Sequence, residues 1–60
     1  MNAKGKNVLV NGREGWVLRV ETVADGVTSA TVTWFQVQWN WSAYNEPPRV
    51  WVKANEVEVL

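Results

Sequence analysis

The chain contains neither cysteine nor histidine. No disulfide can brace the fold, and a zinc site would lack its usual ligands. A thiol nucleophile and an imidazole base are missing as well. No apolar run approaches the length of a membrane-spanning helix, and the opening Met-Asn-Ala-Lys-Gly-Lys-Asn has no apolar leader segment. No membrane partner is expected, and the chain is expected to begin near Met1 in a cytoplasmic compartment, which the lack of cysteine also fits. An excess of one charge is lacking too: six basic residues are cancelled by six acidic ones. That leaves no whole-chain electrostatic footprint for nucleic acid or an anionic surface.

The absences leave few aids to folding. Sixty residues make one domain, spanning 1–60, and a chain of this size buries only about 60% of the surface its unfolded form exposes. Chains below about 70–80 residues usually lean on disulfides, a metal or a partner. Two aids remain here, large buried side chains and oligomerisation. The composition supplies the first: there are five tryptophans, each with about 150–250 Å² to bury.

Valine recurs throughout with tryptophan and threonine, which is the composition of half-buried strands. No segment holds a helical period, and no repeat or low-complexity stretch appears. The first strand is predicted over 7–11, with Val8 and Val10 on one face and Asn7, Leu9 and Asn11 on the other. Asn11-Gly12 is a strong turn signal, and Gly15 is expected to close a short Asn-Gly-Arg-Glu-Gly loop. The second strand is predicted over 16–23, with Trp16, Leu18 and Val20 sharing a face. Asp25-Gly26 marks the next reversal.

The third stretch, 30–41, changes phase. Val32 and Trp34 are apolar at even positions, while Phe35, Val37, Trp39 and Trp41 are apolar at odd ones. A period of two shifts phase only through an extra residue, so a bulge or bend is predicted near Trp34-Phe35. The alternative is a strand buried on both sides. Asn45-Glu46-Pro47-Pro48 belongs to a loop over 42–48, because proline cannot donate to a ladder. A clean fourth strand follows over 49–53, with Val50 and Val52 facing in and Arg49, Trp51 and Lys53 facing out. Ala54-Asn55-Glu56 reads as one helical turn before a last strand over 57–60. Basic residues concentrate early (Lys4, Lys6, Arg13, Arg19) and acidic ones late, which the first strand lying beside the last would explain. Five short strands with one helical turn point to an all-β, partly open barrel.

The stretch from Val8 to Val20, Val-Leu-Val-Asn-Gly-Arg-Glu-Gly-Trp-Val-Leu-Arg-Val, resembles the opening of KOW-type and Tudor-type SH3-like barrels. Those show alternating valines, a glycine-containing loop, then Gly-x-Val and another valine. Val37-Gln38-Trp39 is similar to their middle strand, and Trp51-Val52 with the segment from Ala54 to Leu60 is similar to their closing strand, helical turn and final strand. The resemblance implies a five-stranded SH3-like barrel. It implies little about function, since such barrels host many. Peptide-binding SH3 domains carry a long acidic first loop, whereas the loop here runs only from Asn11 to Gly15, so a proline-rich ligand is not implied. The plasmid-borne dihydrofolate reductases of this type carry Val-Gln-Ile-Tyr where this chain reads Arg49-Val50-Trp51-Val52. The small stromal subunit of photosystem I is similar in strand rhythm and in its valine-rich ending, here Glu56 to Leu60.

No catalytic constellation stands out. Glu56 and Glu58 lie two apart and could share a face, but charges on an edge strand more commonly guard against edge-to-edge aggregation. Gly12 and Gly15 make no phosphate loop, because no Gly-Lys-Ser/Thr follows, and no cofactor is expected. The aromatic residues carry the signal. Trp16, Trp34 and Trp39 share parity with core valines or leucines and are predicted to be buried, with Phe35 packed at the bend. Trp51 is predicted to face out with Arg49 and Lys53, beside Gln36, Gln38 and Asn40 of the preceding strand. Trp41 and Tyr44 flank the loop that leads to it, and either these aromatics form an exposed platform or the loop over 42–48 covers Trp51. The candidate site is therefore Trp51, Trp41, Tyr44, Arg49, Lys53 and Gln38. The expectation is a non-catalytic module binding a protein partner or a second copy of itself. Two alternatives are a KOW-like nucleic-acid binder using stacking and arginine contacts, and a small enzyme active only as an oligomer.

Overall fold

Alternating valines become strands where turns allow them to pair, and in the computed structural model, which describes residues 3–60, they form five. These are β1 (Asn7–Val10), β2 (Arg13–Ala24), β3 (Thr31–Trp39), β4 (Arg49–Lys53) and β5 (Val57–Val59). A 3-10 turn, Ala54–Glu56, precedes β5. All neighbours are antiparallel, in one sheet of order β4-β3-β2-β1-β5. The sheet is not closed, so β4 and β5 are its edges. The first strand does lie beside the last: Val8 stands opposite Val59 and Val10 opposite Val57. The expected domain of 1–60 and the absence of a leader at Met1 bear in part on residues outside the described ones.

The corner between β1 and β2 is tighter than predicted. Asn11 (φ 52°) and Gly12 (φ 81°) alone make the turn, both in the left-handed region that a two-residue hairpin needs. Arg13 is already paired with Val10, so the five-residue loop does not form. Gly15 is a strand residue. A Cβ there would stand 2.6 Å from the Val37 side chain and 2.7 Å from the Gln38 carbonyl oxygen. Glycine is present because β2 and β3 approach too closely for any side chain, not because the chain turns.

The bulge predicted near Trp34-Phe35 does not form: β3 pairs without a break through it, with Trp34, Gln36 and Gln38 on one face and Phe35, Val37 and Trp39 on the other. What changes along β3 is which face carries the large apolar side chains, and not the phase of the strand. The irregularity lies in β2, where Val17 pairs with Val37 and Arg19 with Gln36, leaving Leu18 as an extra residue. β2 pairs with β3 from Gly15 to Ala24, and its first residues, Arg13 to Trp16, also pair with β1 on the other edge.

The sheet gathers its core on one face. Val8, Val17 and Val37 are fully buried, and Val10 and Phe35 nearly so. Each fully buried valine contributes about 1.5–3 kcal/mol. Trp39, Val50, Val52, Ala54 and Val57 pack around them. Val50 and Val52 face inward as predicted, and Trp39 joins the core margin. Trp16 does not: it is 38% exposed, because its neighbour Val17 takes the inner position. Trp34 also lies away from the core. It pairs with Glu21 and Lys53 on the outer face, while Phe35 fills the interior.

Candidate functional site

The outer face of β2, β3 and β4 is ordered in rows set by register. One row is Glu21, Trp34, Lys53; the next is Arg19, Gln36, Trp51; the third is Trp16, Gln38, Arg49. The bulge adds Leu18 to the middle row, where Leu18, Arg19, Gln36 and Arg49 line a polar cleft. Beside it, Glu21, Val23, Trp34 and Trp51 line a mainly apolar groove. Trp51 is 43% exposed, consistent with a side chain that faces solvent and leans on its neighbours.

Polar contacts hold the rows in place. Arg49 Nε donates to Gln38 Oε1 at 3.1 Å. The Lys53 ammonium lies 5.8 Å from the centroid of the Trp34 ring, within cation–π range. Gln38, Arg49, Trp51 and Lys53, all expected at the site, are thus brought together on adjacent strands. Trp16, Trp34 and Val23 share the face and were missed. Their signal was hidden because Trp16-Val17 and Trp34-Phe35 are apolar pairs, in which parity alone cannot choose the buried member.

Trp41 and Tyr44 sit elsewhere. Trp41 is 74% exposed and Tyr44 fully so; neither lines the groove beside Trp51. Their loop is fastened by Arg13. Its guanidinium donates to both Glu46 carboxylate oxygens, at 3.0 and 2.5 Å, and to the Trp41 carbonyl at 3.0 Å. The same group lies 4.2 Å from the centroid of the Trp39 ring. Glu46 Oε1 also accepts from the Ala43 N–H at 3.1 Å. Bonding to Arg13, then to Ala43, holds the Glu46 carboxyl below its ordinary range, and the bond to Glu46 raises the Arg13 pKa. Because Trp39 borders the core, the clamp draws the loop toward that side of the sheet and away from Trp51.

A second carboxylate is also committed to structure. Asp25 accepts from the Val27 N–H at 2.9 Å and from the Thr28 hydroxyl at 3.0 Å, tying the β2–β3 connection. The Val27 bond, then that from Thr28, lowers the Asp25 pKa. Among the described residues no group of three or more His, Cys, Asp or Glu side chains could hold a metal ion. Among them, too, no helix is long and apolar enough to cross a membrane. Comparison with protein-family models, curated proteins and solved structures finds no match to the chain.

Proposed function

We propose that this chain is a non-catalytic SH3-like module that binds a protein partner through the outer face of β2, β3 and β4. The observation that carries this is the placement of Trp16, Trp34 and Trp51 on the face opposite the core, where they do nothing to close it. Large aromatics mixed with Arg49, Lys53 and Gln38 are the composition of interface hot spots. The SH3-like reading is supported by the long bent β2 shared between neighbours, the 3-10 turn and the return of β5 to β1. A non-catalytic role is supported by the lack of histidine and cysteine and by the engagement of Asp25 and Glu46 in fastening loops. A cytosol-like compartment fits the absence of cysteine.

Protein is favoured over nucleic acid by what the cations already do. Arg13 is neutralised by Glu46, in a chain of zero net charge. Phosphate binding depends on unspent positive charge. The test is a photo-cross-linking amino acid at Trp51, with one at Thr28 as control, in the cells that make the protein. Protein adducts are expected from position 51 alone; equal or absent adducts would overturn the reading. Single-stranded oligonucleotide columns at low salt should retain nothing, and salt-sensitive retention would favour the nucleic-acid alternative.

A further inference from the structure

The geometry points to a second copy of this chain as the occupant of that face, joined through a two-fold axis laid along β3. The inference rests on the binding-module reading and names its partner.

Size gives the first reason. The chain exposes 4548 Å², whereas a folded monomer of 6.8 kDa exposes about 3,950 Å². The excess of about 600 Å² means that the chain closes less of its own surface than an ordinary monomer of its mass. The Cα radius of gyration is 12.3 Å, against about 10.4 Å expected for this length. Among the described residues only five side chains form the buried core, and no disulfide assists it. Small domains of this kind lean on association.

Register gives the second reason, and it selects the geometry. A two-fold axis parallel to β3, between two facing sheets, carries β4 of one copy over β2 of the other while keeping each row level. Glu21 then meets Lys53 of the second copy, and Trp34 meets its own counterpart. In the third row, Arg49 of one copy meets Trp16 of the other, a cation over an indole. In the middle row, Trp51 meets Leu18 and Arg19. Every row is self-complementary, which an isologous contact requires. The competing arrangement, edge to edge along β4, fails the same criterion. Centred on Trp51, it would set Arg49 against Lys53 of the neighbour, and like charges directly opposite are repulsive.

The experiment is sedimentation equilibrium of the full chain over a range of concentrations, with charge reversals at one row. The wild type should reach the mass of two chains. Glu21→Lys or Lys53→Glu each creates two like-charge contacts per dimer and should weaken association at least about tenfold. Mixing the two variants restores opposite charges at both contacts and should restore the pair, as a heterodimer. Arg49→Glu tests the neighbouring row, should either reversal fail to fold. A wild type of one-chain mass throughout, reversals without effect, or a mixture that stays dissociated would each overturn the proposal. The cross-linker at Trp51 separates the two failures. An adduct of other than two-chain mass removes self-pairing and leaves the module reading standing, while no adduct from a monomeric chain removes both.

Discussion

The inner face of the sheet is closed by four valines and one phenylalanine, whereas the outer face carries Trp16, Trp34 and Trp51. In a chain with so little interior, the largest apolar side chains would be the natural core. Here they are half-exposed in rows, flanked by Glu21, Arg49 and Lys53. Small branched side chains let the two halves of the curled sheet approach closely, and the one indole on that face, Trp39, sits at the margin of the core and not in its centre. The difference teaches that the chain closes its own interior with small branched side chains and leaves three of its indoles on the face that takes no part in that closure.

The comparison breaks most completely at Gly15. Gly15→Ala forces a methyl group into the Val37 side chain and the Gln38 carbonyl, at a cost of about 3 kcal/mol. The melting temperature should fall by about 12 °C or more, measured by thermal circular dichroism. Next comes Val37→Ala, which empties a fully buried position and should cost about 2 kcal/mol in urea denaturation. Trp51→Ala, although it deletes far more surface, should cost the isolated single chain less than about 1 kcal/mol. Equal losses for these two variants would remove the distinction between the faces.

The Arg13–Glu46 clamp sharpens the comparison by pH. Glu46 has its pKa lowered on folding, so its contribution is present above the unfolded carboxylate value and is lost as pH falls through the folded one. Glu46→Gln lacks that contribution at every pH. The denaturation midpoints of wild type and variant should therefore differ near neutrality and converge in acid, with faster amide exchange at Ala43 in the variant. The smallest effect belongs to the outer face. Arg49→Lys keeps the charge and loses the bond to Gln38, and should change single-chain stability by less than about 0.5 kcal/mol.

Much of the fold was legible because its signals are local. Asn11-Gly12, the alternation of β1 and β4, the single turn at Ala54–Glu56 and the outward Trp51 each depend on a few consecutive residues. The position of the bulge was not legible. Leu18 becomes the extra residue only when Val17 and Arg19 have chosen partners on β3. The site divided in the same way. Gln38, Arg49, Trp51 and Lys53 follow from strand parity, whereas Trp16 and Trp34 were misassigned to the core because each adjoins another apolar residue.

The linear order of residues was enough to make this an all-β chain with valines inside and Trp51 outside, since a period of two needs no knowledge of neighbours. It also settled which chemistries are closed to the chain, since no fold can supply a thiol or an imidazole that is not encoded. Long-range pairing settled the rest. Which strand bends, why Gly15 must lack a side chain, and where the loop bearing Trp41 and Tyr44 is fastened all depend on groups far apart in the chain, as Arg13 and Glu46 are. The outer face itself belongs to this second kind, because Trp16, Trp34 and Trp51 become one surface only when three strands are laid side by side in register.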